Sequence, residues 1–240
     1  MIGEKKGQLT IFVIVAVVLI GLIGIFFAFR ENFSFANSDS SRISTFVQEC
    51  IDDAGADVVY SVGYGGGYII PPEISDEYGF PFYYYNGENH MPSKEIMETE
   101  MSNFIDDRIL NCTNGFVNFN DLEVSGGTIK STASILDSEV KFTVSYPLSI
   151  KKGESVSRIE DFRTSVPVRF GIVYGVVQEM MAEQMLHDGV CLSCANDLAN
   201  ENDLHIDMND YGNESIIFSF RDENSKLNGE TFEFVFINKY

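Results

Sequence analysis

The sequence predicts an α+β protein: a single N-terminal transmembrane helix followed by an ectodomain of antiparallel β-meanders packed with about three helices. Three observations predict it. Residues 9–29 form an unbroken, uncharged apolar run. Residues 41–60, 94–112 and 169–187 repeat apolar side chains at helical spacing, and residues 116–170 and 203–238 switch to a period of two. The chain divides accordingly into a cytoplasmic head at 1–8, the span at 9–29, a linker at 30–40 and an extracytoplasmic domain at 41–240.

The apolar run has 21 residues, which as a helix reach roughly 30 Å, the thickness of a bilayer's hydrocarbon core. A cleavable secretory signal has a shorter core and a small-residue cleavage site; this run ends Gly24-Ile25-Phe26-Phe27-Ala28-Phe29-Arg30. Lys5 and Lys6 precede it while Arg30 and Arg42 follow, so charge alone orients it weakly. The short head against a whole folded domain places the N-terminus in the cytoplasm and the domain outside.

Lys5-Lys6-Gly7-Gln8-Leu9-Thr10, running straight into the apolar helix, resembles the class III (type IV pilin-like) signal of archaeal surface proteins. That resemblance implies a peptidase cut between Gly7 and Gln8 that leaves the helix on the mature chain. Filament-forming members carry glutamate at the fifth mature position, where this chain has Phe12. The departure favours a single-pass anchor over a filament subunit. The wider pattern includes Ile150-Lys151-Lys152-Gly153-Glu154, Pro167-Val168-Arg169-Phe170-Gly171 and a final aromatic hairpin. It is similar to uncharacterised membrane-anchored surface proteins of small-genome archaea, a likeness that supplies no activity.

Residues 30–40 are polar and rich in small side chains, and read as a linker leading to a helix cap. The helix of residues 41–60 places Ile43, Phe46, Val47, Cys50, Ile51, Ala54, Val58 and Val59 on one face. Gly63-Tyr64-Gly65-Gly66-Gly67 then ends it. This glycine-rich loop lacks the Gly-Lys-Ser/Thr of a phosphate cradle and serves a turn or close packing. Residues 78–90 hold Phe80, Phe82, Tyr83, Tyr84 and Tyr85 before Asn86-Gly87, the strongest hairpin signal in the chain. They read as cross-strand packing, or as an aromatic platform for a glycan or partner.

In residues 94–112 the apolar stripe is Ile96, Met97, Met101, Phe104, Ile105, Ile109 and Cys112. With Cys50 and Cys112 both on helical stripes, a disulfide between them would staple the two helices; two reduced core cysteines are the other reading. Short strands follow at 129–136, 140–146, 148–150 and 162–168. The helix at 169–187 carries Phe170, Val173, Tyr174, Val177, Met180, Met181 and Met185. The final meander comprises 203–208, 215–221 and 230–238, where Phe232, Phe234 and Phe236 alternate with Glu233, Val235 and Ile237.

Cys191-Leu192-Ser193-Cys194 admits three chemistries. It fits a local disulfide, a redox pair, or a zinc site completed by His187 and His205. Asp207-Met208-Asn209-Asp210-Tyr211-Gly212 imitates the start of a calcium loop but has Tyr211 and Phe218 at ligand positions. No metal or other cofactor is therefore expected. Asn32 and Asn213 head glycosylation sequons; Asn111 heads a third beside Cys112.

Composition excludes some functions. Residues 30–240 carry 35 acidic against 14 basic side chains, a net charge of −21, which repels nucleic acid. No nucleophile elbow, zinc-protease motif or P-loop occurs, so an enzyme is not expected. The sequence reads as a membrane-anchored binding or structural module of the cell envelope. Its partners are the bilayer through 9–29 and a surface protein or further copies of itself; a pilin-like filament or pseudopilus subunit is the alternative.

Overall fold

The computed structural model describes the backbone of residues 5–186 and 189–240, and the side chains of 15–23, 39–186 and 189–240. Helix α1 runs Lys5–Tyr64, 60 residues, or roughly 90 Å at 1.5 Å per residue. It contains no proline. The linker expected at 30–40 is helical backbone. That segment contains neither glycine nor proline, so nothing offsets the cost of ending one helix and nucleating another. The helix stops at the glycine loop in a Schellman motif: Gly66 N–H bonds Gly63 O at 3.0 Å and Gly67 N–H bonds Val62 O at 2.7 Å. Gly66 and Gly67 have φ of 54° and 88°, which side-chain-bearing residues seldom adopt.

The expected hairpin forms as β1 (Phe82–Tyr85) and β2 (Glu88–Asn89), turning at Asn86 and Gly87, both with positive φ. Helix α2 (Lys94–Thr113) is capped by Ser93, whose Oγ accepts the Ile96 N–H. Its buried stripe, Met97, Met101, Ile105, Ile109 and Thr113, steps by four. Cys112 lies one residue off that row and is exposed, so the expected burial of both cysteines holds only for Cys50, which is 5% exposed.

Strands β3 (Glu123–Gly126), β4 (Lys130–Ile135), β5 (Val140–Lys152) and β6 (Ser155–Val166) form a four-stranded antiparallel sheet. β5 pairs with β6 on one side and with both β4 and β3 on the other. The two strands expected at 140–146 and 148–150 are one. Pro147 sits where the register shifts between Ser145 and Leu148, an irregularity that tolerates a missing N–H. The outer edge of β4 is closed by α2, since Ala133 N–H bonds Ser102 Oγ at 2.9 Å and Ile135 N–H bonds Glu98 Oε1 at 2.8 Å.

Helices α3 (Phe170–Gln184) and α4 (Leu192–Glu201) lead to β7 (His205–Gly212), β8 (Ser215–Leu227) and β9 (Glu230–Lys239). The second sheet has order β2-β1-β9-β8-β7, antiparallel except for β1 beside β9. Phe218, Phe220, Phe232, Phe234 and Phe236 lie fully buried in the core shared with α1 and α3. Val235 and Ile237, which alternate with those phenylalanines, are also buried, at 3% and 0% exposed, so β9 is covered on both faces there. The loop at 68–81 lies against this strand: Pro81 O accepts the Ile237 N–H, and Asp76 Oδ2 accepts the Tyr211 hydroxyl from the far side of the sheet at 2.5 Å. The Tyr211 hydroxyl is pushed up to about 12, chiefly by that bond to Asp76.

Candidate functional site

In residues 15–23 every large apolar side chain is exposed, from 49% at Val15 to 70% at Ile20. Nine consecutive residues at about 100° each sample the whole circumference. No face of this stretch therefore packs on the domain, and each exposed aliphatic chain forfeits on the order of 1 kcal/mol of burial. Among the described residues no helix is long and apolar enough to cross a membrane; of the run 9–29, side chains are described only at 15–23. Residues 1–4 of the head lie outside the described residues, and of Gly7, Gln8, Phe12 and Asn32 only the helical backbone is described.

The helix meets the domain through charge. Asp39, 6% exposed, faces Lys152 Nζ at 3.0 Å and Arg42 Nη1 at 3.4 Å. Arg42 also donates to Asp121 at 3.1 Å and lies over the Phe119 ring. The bond from Arg42 lowers the Asp121 carboxyl, and the same bond raises the guanidinium. These contacts fix α1 to the β5–β6 turn and to the loop before β3. The residues taken for a linker thus supply a buried anchor point.

The four cysteines form two pairs. Cys50 and Cys112 join α1 to α2 with Cα atoms 6.0 Å apart, and Cys191 and Cys194 join within the first turn of α4 at 5.2 Å. Cys191 is the cap of α4, its Sγ accepting the Cys194 N–H. The geometry is that of a local bridge at the start of a helix that follows no strand. His205 points to Asp207 and is 57% exposed at its side chain, while His187 lies outside the described residues. Asp207–Gly212, the calcium-loop imitation, is strand β7. Asn213 sits at the β7–β8 turn with φ of 52°, exposed; Asn111 is exposed on α2.

The glycine loop is structural: a Cβ at Gly63 would come within 2.7 Å of Glu233 O. The aromatic cluster divides. Tyr83 is fully buried, stacked on Phe236 at 4.3 Å with its hydroxyl on Gly66 O at 2.9 Å. Tyr60 and Tyr64 remain partly exposed and stacked, with Phe80 against Tyr64. A cleft of 320 Å³ opens beside Tyr68, Phe82 and His90, and another of 350 Å³ beside Leu192, Met208 and Ile216.

One buried network has no counterpart in the sequence pattern. Arg169 donates from Nε and Nη2 to Asp222 at 3.0 and 2.8 Å, and Asp222 has no exposure. Ser225 Oγ and the Asn224 N–H also donate to that carboxylate. Burial raises the Asp222 carboxyl, but the bonds from Arg169, Ser225 and Asn224 together hold it below the usual range. Pro167-Val168-Arg169-Phe170-Gly171 was visible as a pattern; the aspartate 53 positions on was not. No family model, curated protein or solved structure matches this chain.

Proposed function

We propose that the chain is a membrane-anchored surface protein whose acidic α+β domain stands outside the membrane as a binding or structural module of the envelope. The observation that carries the reading is the uncovered apolar helix. Seven large aliphatic side chains between positions 15 and 23 are about half exposed or more, on a helix that the domain leaves free on every side. Such a surface requires a bilayer or copies of itself to cover it. Two disulfides and three sequons support an oxidising exterior. The net charge of −21 over residues 30–240 suits a domain held in solution beside, not on, an anionic membrane.

The test is mass spectrometry of the protein extracted from its native membrane. The reading expects the full apolar segment retained, both disulfides formed and the protein in the membrane fraction. Recovery of the intact chain in the soluble fraction would sink it.

A filament or pseudopilus subunit is the second reading. It is favoured by one observation: from Lys5 through the apolar run to the first buried helix of the domain, the described backbone is a single uninterrupted helix. It expects a mature chain beginning at Gln8 and shear-released assemblies. An N-terminus retaining Lys5 and Lys6 excludes it.

A further inference from the structure

We propose that the outer edge of β7, together with the cleft beside it, docks an extended basic segment of another protein as an added strand. The proposal rests on the reading of the domain as a binding module and is independent of how the chain is held to a membrane.

The long edges of the two sheets differ. In the four-stranded sheet, β4 is closed by Ser102 and Glu98 of α2, and on β6 the Arg163 carbonyl accepts the Gln48 side chain of α1 at 3.1 Å. In the five-stranded sheet one edge is β2, two residues long. The other is β7, eight residues long; apart from the Gly212 N–H, which its own Asp210 Oδ1 accepts at 2.9 Å, the backbone groups it turns away from β8 bond no further element among the described residues. Asn209, Asp210, Tyr211 and Gly212 are exposed along it. A strand edge of this kind is a template for pairing.

The surroundings choose the occupant. The 350 Å³ cleft is floored by Leu192, Met208, Ile216 and Tyr240 and rimmed by Asp210 and Glu214. Leu192 is half exposed. Neither Asp210 nor Glu214 has a cationic partner among the described residues. A strand laid about 4.8 Å from β7 presents every second side chain to the cleft. There an aliphatic group fits against Leu192 and Met208, and a lysine or arginine meets the two carboxylates. A second copy of this chain would bring its own Asp207 and Asp210 against the same carboxylates. Like charges directly opposite are destabilising, so self-pairing is disfavoured.

The experiment uses the full chain in neutral-lipid nanodiscs, with Asn213→Gln in every sample so that no glycan occupies the tip. A short labelled peptide alternating lysine and valine is titrated by fluorescence anisotropy. Two controls accompany it: the glutamate–valine counterpart, and the lysine peptide with alternate backbone nitrogens methylated. Only the unmethylated lysine peptide is expected to bind, with slowed amide exchange at residues 207–212. The double variant Asp210→Lys, Glu214→Lys should weaken it about three- to tenfold, with unchanged thermal midpoint. Equal binding of the methylated peptide, unchanged affinity in the double variant, or no binding at millimolar peptide would each overturn the proposal. Retention of the chain in the nanodisc is read separately and bears only on the anchor.

Discussion

Asp222 has no exposure and three donors beyond solvent, with Arg169 the only one that carries charge. Arg169→Ala leaves a buried carboxylate without its cation and should cost about 3–5 kcal/mol in denaturant unfolding. Replacing both partners by apolar residues should recover part of the loss. Because the folded carboxyl lies below its unfolded value near 3.9, its contribution is complete above about pH 5 and is lost as pH falls through the folded value. The thermal midpoint should therefore drop in acid, and Asp222→Asn should flatten that dependence. Tyr211 works at the other end of the scale. Its hydroxyl bonds Asp76 in the neutral form, so the contribution persists below the ordinary tyrosine value near 10 and fades as pH rises toward about 12. Tyr211→Phe should cost about 1 kcal/mol and speed amide exchange at residues 76–80, which that bond holds to the sheet.

Two elements are stapled in different ways. The Cys50–Cys112 bridge closes a loop with sequence separation 62 between α1 and α2. In the chain-entropy model it contributes about 4 kcal/mol, whereas the three-residue step of Cys191–Cys194 contributes about 2. Serine replacement of the first pair should lower the unfolding free energy by roughly twice the loss seen for the second. Local effects should differ too. The second replacement should raise exchange only around the start of α4, since Cys191 caps that helix. Both pairs were open to inference from sequence by periodicity and spacing. Helix α4 was not, because Ala195 and Ala199 are its only buried members and an alanine pair makes a faint apolar stripe.

At the scale of the molecule, α1 serves two environments in one rod. Its buried stripe from Ile43 to Val62 is part of the domain core, while residues 15–23 contact nothing in the domain. Deleting residues 1–38 should therefore leave a folded, water-soluble domain that keeps both disulfides and its far-ultraviolet dichroism, minus the helical signal of the removed segment. In detergent phase separation the full chain should enter the detergent-rich phase and the shortened one the aqueous phase. The cut must spare Asp39, whose pairing with Lys152 and Arg42 fixes the helix to the β5–β6 turn. A cut past position 42 should lose stability in addition to the apolar segment.

The sequence by itself determined the class and most of the elements: α2, α3, the Asn86-Gly87 hairpin and the alternating strands were legible because local periodicity reports which face is buried. It also determined the apolar run at 9–29 and the acidic balance of the rest, which depend on composition alone. Only the tertiary structure decided what depends on partners far apart in the chain. It made one helix of the apolar run, the residues expected as a linker and the first core helix; it set Asp222 against Arg169 and Asp76 against Tyr211. It also buried Val235 and Ile237 on the face opposite the phenylalanines. The physical reason is that a carboxylate's role is fixed by whether a donor meets it in a dry place. That meeting arises from the packing of distant segments, which leaves no period in the sequence.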